Sequence, residues 1–117
     1  MKAYLIATSD VKTIAQKVSQ VLDSRGYEII LPDRNEDSID SMYLKNSPKI
    51  RSSDLVVAVI SSGVVDPYWP LETGTALGLD KEFILLVEGP KLSEDLVRES
   101  GIKNIAYSIE EFKGVLR

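Results

Sequence analysis

Read as apolar and polar positions, the chain alternates short unbroken apolar runs with longer stretches of helical periodicity. The clearest run, residues 55–60, reads LVVAVI with no polar position interleaved, which predicts a parallel strand buried on both faces. Residues 3–7 and 83–87 have the same character. Between the first two runs, Val11, Ile14, Ala15, Val18, Val21 and Leu22 recur at i, i+3, i+4, i+7, i+10 and i+11, one apolar face of a helix that Gly26 closes. Residues 27–31 predict a second strand stopped by Pro32, and residues 103–107 a fifth.

Cap and turn residues place the remaining elements. Thr8, Ser9 and Asp10 supply cap residues for the first helix. Residues 33–41 carry four acids without apolar periodicity and predict a solvated loop. Ser47 and Pro48 form an N-cap and first-turn pair opening a short helix through Ile50. After the central strand comes a polar and aromatic loop, residues 61–69. Pro70 then stands where a first helical residue belongs, which puts Glu72 in the first turn. Ser93 caps a helix ending at Gly101, and Ser108 with Glu111 forms a capping box for a last helix carrying Phe112, Val115 and Leu116.

Five strands alternating with five helices predict an α/β domain. The expected architecture is a three-layer, flavodoxin-like (Rossmann-like) fold with a parallel sheet of order 2-1-3-4-5. In that order the first and third strands are neighbours. The loop at residues 8–10 then faces the stretch 61–72 across one crevice, beyond the carboxyl ends of the strands where ligands bind in such sheets.

Composition narrows what the crevice does. The 117 residues make one domain with a real core, and 14 basic against 18 acidic residues, net charge −4, argue against nucleic acid as a partner. With no histidine and no cysteine, disulfides, thiolate catalysis, the usual zinc sites and His-dependent triads are excluded, so no metal site and no cofactor is expected. No apolar stretch approaches the roughly 20 residues of a membrane span, and the N-terminus enters a strand directly; a cytoplasmic protein without membrane contact is the expectation.

Carboxylates and hydroxyls remain. No GxGxxG follows the first strand, and residues 74–81 imitate a P-loop only loosely, which discounts dinucleotide hydride transfer and NTP hydrolysis. Thr8, Ser9, Ser61 and Ser62 suit ribose hydroxyls or a phosphate near two helix N-termini, or else simply cap those helices. Glu72 near a helix start is favoured by the helix dipole alone. The glycines at 74 and 78, however, each cost about 1 kcal/mol in a helix and point to a close approach by ligand or sheet. Asp66 lies six residues before Glu72, with Tyr68 and Trp69 between them. Two carboxylates beside a base-stacking aromatic pair suit cleavage at a sugar's anomeric carbon, one stabilising the oxocarbenium-like centre and one serving the leaving group.

These residues resemble the nucleoside 2-deoxyribosyltransferases and the related deoxynucleoside-monophosphate N-glycosidases. The likeness runs through Ser53, Asp54 and the apolar strand, Asp66, the sequence Glu72-Thr-Gly74-Thr-Ala76-Leu, and Lys81 before the next strand. It implies Glu72 as nucleophile on the deoxyribose and Asp66 as the contact to the base. Two departures stand out: Asn46 occupies a position where an acid is common, and residues 67–70, Pro-Tyr-Trp-Pro, replace a glycine-rich link. The spacing of Trp69 and Glu72, with Ser61 and Ala76, is also similar to TIR domains, whose catalytic members cleave the nicotinamide–ribose bond of NAD with the matching Glu and whose other members are scaffolds. The resemblances imply a small-molecule partner, a nucleoside or nucleotide, and a homodimer or larger homo-oligomer whose sites are completed across an interface. Glu72 and Asp66 are thus the expected catalytic residues. Thr8, Ser9, Asp10, Asn46, Ser61, Ser62, Tyr68, Trp69 and Gly74 are the expected substrate contacts, with a non-catalytic nucleotide-binding module as the competing class.

Overall fold

The computed structural model describes residues 1–35, 38–61 and 68–116. Strands β1 (Lys2–Ala7), β2 (Glu28–Ile30), β3 (Leu55–Ser61), β4 (Glu82–Glu88) and β5 (Asn104–Ala106) alternate with helices α1 (Lys12–Ser24), α2 (Ile39–Ser52), α3 (Tyr68–Gly78), α4 (Glu94–Ser100) and α5 (Ile109–Val115). The strands form one parallel sheet in the order β2-β1-β3-β4-β5. This is the flavodoxin-like arrangement that the sequence predicts. Its central strand, β3, is buried from Leu55 to Ile60 on both faces, which is why those positions show no polar alternation.

Two apolar clusters flank the sheet. On one face Leu5, Val57 and Leu86 pack with Val18 and Leu22 of α1 and Phe112 of α5. On the other, Tyr4, Ile6, Val56 and Leu85 pack with Ile50 of α2 and Ala76 of α3. Alternate residues along each strand therefore serve opposite layers. Gly26, at φ 88°, and Gly101, at φ 76°, take the left-handed conformation after α1 and α4 that glycine accepts without strain.

Three expectations about the helices require correction. Helix α1 is not capped by the hydroxyls of Thr8 and Ser9 or by Asp10: its N-cap is Val11, without a side-chain bond. Helix α2 begins at Ile39, not near Pro48, so the predicted solvated loop is shorter than expected. The Ser38 side chain caps it by accepting from the Ser41 amide, and Pro48 lies inside the helix. Burial of Met42, Asn46 and Ile50 at i, i+4 and i+8 offsets the roughly 3 kcal/mol that an interior proline costs. Helix α3 begins at Tyr68, so Glu72 belongs to its second turn and not its first. Pro70 still falls among the first four residues, whose amides have no intrahelical partner. Tyr68 and Trp69 are accordingly half-buried helix residues rather than an exposed loop.

Among the described residues no helix is long and apolar enough to cross a membrane.

Candidate active site

Glu72 is only 3% exposed, and four hydrogen bonds from the described residues hold its carboxylate. Oε2 accepts from the Tyr4 hydroxyl at 2.9 Å, from Asn46 Nδ2 at 3.1 Å and from Arg34 Nη1 at 2.8 Å. Oε1 accepts from Arg34 Nη2 at 2.7 Å. The guanidinium thus grips the carboxylate with both arms, the strong bidentate geometry of charge-assisted pairs. Among the described residues, Arg34 is the sole partner of Oε1. The two oxygens are therefore unlike: one is anchored by β1 and α2 as well as by Arg34, the other faces the guanidinium alone among the described residues.

Each partner is positioned by its own element. Tyr4 lies in the middle of β1, paired with Ile30 and Val56 on either side, and its side chain is fully buried on the α2–α3 face. Burial, and then the neighbouring charge of Glu72 and their hydrogen bond, push its hydroxyl well above the ordinary tyrosine value, with Arg34 acting weakly in the opposite direction. Tyr4 is thereby kept as a donor. Asn46, fully buried on α2, also clasps the chain after β2: its Oδ1 accepts from the Asp33 amide at 2.8 Å and its Nδ2 donates to the Asp33 carbonyl at 3.0 Å. That clasp sets Arg34, the next residue, over α3. The Arg34 guanidinium carbon lies 4.9 Å from the centre of the Tyr68 ring, a cation–π contact.

A second cluster forms where β1 and β3 end side by side. Thr8 is almost fully buried, and its amide donates to the Val59 carbonyl at 3.2 Å. Its hydroxyl donates to Asp10 Oδ1 at 2.7 Å. That bond and a weaker one from Ser61 hold the exposed Asp10 carboxyl below the usual carboxylate range. Thr8, Asp10 and Ser61 are therefore brought together as expected of facing loops. Their hydroxyls, however, serve a carboxylate, so this corner carries negative charge and is better suited to sugar hydroxyls than to a phosphate. Ser9 is exposed beside them.

A third feature lies on the other side of α3. A cavity of about 390 Å³ is lined by Ile60, Ser61, Trp69, Thr73, Gly74 and Leu85, among others. A Cβ built on Gly74 or Gly78 meets nothing within 4 Å. Close packing on the sheet therefore does not explain these glycines, which corrects one of the two expected reasons for them; Gly74 faces open space instead. A larger cavity, about 520 Å³, lies at the amino ends of the strands, near Tyr27, Leu55, Glu82 and Asn104 and away from the carboxylate.

Of the expected site residues, Glu72 and Asn46 share one network with Tyr68 at its border, Thr8, Asp10 and Ser61 share a second, and Trp69, Gly74 and Ser61 line the cavity. Asp66 and Ser62 lie outside the described residues. Sequence reasoning missed Tyr4 and Arg34. The signal for Arg34 was its position as the one cation within an acidic stretch, residues 33–40; Tyr4 was the one polar-capable side chain within the apolar run of residues 3–7. Among the described residues no group of three acids is placed to hold a metal ion.

The arrangement of five parallel strands with helices on both faces defines the class of fold, and solved structures share it over nearly the whole chain. A 2-deoxyribosyltransferase from Bacillus psychrosaccharolyticus superposes with a TM-score of 0.77 at 16% identity, covering 99% of this chain and 93% of that one. The CMP N-glycosidase BcmB of Clostridium botulinum gives 0.70 at 21% identity, covering 97% and 96%. A TIR domain from a TIR-domain heterodimer gives 0.65 at 18% identity, covering 95% and 86%. No protein-family profile and no curated protein sequence matches the chain.

Proposed function

We propose that the protein breaks the N-glycosidic bond of a nucleoside or nucleotide, with Glu72 as nucleophile. The observation that carries this reading is the asymmetric Glu72 carboxylate, with Oε2 fixed by Tyr4 and Asn46 and Oε1 left to one cation. A merely structural glutamate has no need of two oxygens held so differently. The reactions of the deoxyribosyltransferase and the CMP N-glycosidase with the same fold support the same bond as target.

In this reading Oε1 attacks C1′ of the sugar. The C1′–N bond breaks, its electron pair passes to the base nitrogen, and the base takes up a proton from solvent on the side where Asp66 is proposed to contact it. Water, or a second base, then attacks C1′ from the face the first base has left, loses a proton and releases the Glu72 carboxylate. Thr8, Ser9, Asp10 and Ser61 are assigned to the sugar side, and Tyr68, Trp69 and Gly74 to the base side. Self-association belongs to the same proposal: Tyr43 and Leu44 of α2 and Leu71 of α3 are exposed apolar side chains next to the site, and light scattering of the purified chain at a dimer mass supports it, a monomer mass opposing it.

The test is release of free base, followed by chromatography, from deoxynucleosides, deoxynucleoside 5′-monophosphates and NAD. Release from either deoxy class supports the proposal. Release from NAD alone transfers the chemistry to the TIR-like reading. Ligand binding without release from any of them refutes catalysis and leaves a nucleotide-binding module.

A further inference from the structure

We propose that Arg34 is a displaceable latch on Glu72 and that a phosphoryl group on the substrate opens it. The proposal rests on the N-glycosidic reading and names its substrate class: a nucleoside carrying a 5′-phosphate. Three observations converge on it.

First, the carboxylate is closed to a neutral ligand. The Glu72 side chain is 4% exposed, whereas that of Arg34, lying over it, is 30% exposed. No sugar carbon reaches Oε1 until the guanidinium moves. Second, moving it requires a competing partner. Arg34 holds both oxygens at 2.7–2.8 Å, and a phosphoryl group is the substrate feature that offers the same planar fork two acceptor oxygens and a compensating charge. Third, the other corner of the site is anionic. Asp10, kept ionised by Thr8 and Ser61, disfavours a phosphate at the ends of β1 and β3. Of the nearby cations, Lys45 is paired with Asp33 at 3.3 Å and Lys49 donates to the Leu31 carbonyl at 3.2 Å. Arg34 is the cation that faces the carboxylate.

The latch couples binding to chemistry. When the guanidinium shifts to the phosphoryl group, Tyr4 and Asn46 still hold Oε2, and Oε1 is uncovered at the moment a substrate is present. The unliganded protein keeps its nucleophile covered, and a nucleoside lacking the phosphate meets a closed site. Tyr68, under the guanidinium, offers a surface along which the side chain slides without losing its cation–π contact.

The single tryptophan, Trp69, is on the same helix as Glu72 and reports binding by its fluorescence. Titrations with a deoxynucleoside, its 5′-monophosphate and NAD are compared in the wild type and in Arg34→Met, Arg34→Lys and Glu72→Gln. The wild type is expected to bind the monophosphate about tenfold or more tighter than the nucleoside, and Arg34→Met to reduce that advantage to about twofold or less. Arg34→Lys keeps part of it. Glu72→Gln, which removes the competing charge, tightens monophosphate binding about threefold or more, a result that a purely structural Arg34 does not produce. NAD bound with the same Arg34 dependence supports the phosphoryl assignment and makes a pyrophosphate its carrier. Equal affinity for nucleoside and monophosphate in the wild type, or an advantage that survives Arg34→Met, overturns the proposal. Arg34-dependent preference without base release retains the latch and rejects the catalytic reading; base release without preference does the reverse.

Discussion

The hydroxyl of Tyr4 donates to Oε2 of Glu72 at 2.9 Å, joining a residue in the middle of β1 to one in the second turn of α3, 68 positions later in the chain. This bond turns a strand that is otherwise pure core into part of the candidate site. Tyr4→Phe preserves the ring and deletes the donor. It is expected to cost about 1 to 3 kcal/mol, since the acceptor is a buried carboxylate. Urea unfolding measures it; a variant as stable as the wild type contradicts the bond's place in the core.

The same pair sets an alkaline limit. An unfolded tyrosine ionises near the ordinary value of 10.0, whereas burial and Glu72 raise that of folded Tyr4. A raised folded value means that the contribution is complete below about pH 10 and declines as the pH rises above it. Stability measured at pH 9, 10 and 11 therefore falls more steeply in the wild type than in Tyr4→Phe. Parallel slopes contradict the assignment.

Asn46 is the hinge between the loop and the carboxylate. Asn46→Ala removes the donor to Glu72 and both bonds to the Asp33 backbone. The expected loss is about 1 to 3 kcal/mol, with faster hydrogen exchange at the Asp33 amide. Exchange unchanged at Asp33 refutes the clasp.

The fold was legible because its signals are local and redundant. Residues 55–60 have no polar position, Ser93 and Ser108 are N-caps whose side chains accept from Leu96 and Glu111, and Gly26 and Gly101 have the positive φ that ends a helix. The misread boundaries arose where tertiary packing overrides a local rule. Pro48 looks like a helix start until Met42, Asn46 and Ile50 are seen on one buried face. The site was half legible. Glu72 and Asn46 stand out by motif position, but Arg34 approaches Glu72 across 38 residues and Tyr4 across 68, and no sequence period records such contacts.

At the end of β1, the Thr8 hydroxyl is the chief cause of the low Asp10 value. Thr8→Val is expected to raise the Asp10 pKa toward the ordinary 3.8, read by NMR titration of its carboxyl carbon. Because the shift is downward, the associated stability is present above the unfolded value and is lost as pH falls through the folded one. An unmoved titration in the variant contradicts the Thr8–Asp10 bond.

Gly74 gives a prediction of opposite sign. A Cβ there meets nothing, and the residue is interior to α3, so Gly74→Ala is expected to stabilise the protein by roughly 0.5–1 kcal/mol. Destabilisation in thermal or urea unfolding contradicts the open space beside it.

The most direct test of the account compares wild-type protein with Glu72→Gln on the substrate that yields most free base. The amide is nearly isosteric but lacks the nucleophilic charge. Base release is expected to fall about 1,000-fold or more while the circular dichroism spectrum is unchanged. Base release by Glu72→Gln at the wild-type rate contradicts it and leaves the carboxylate as an anchor for Arg34 and Tyr4 alone.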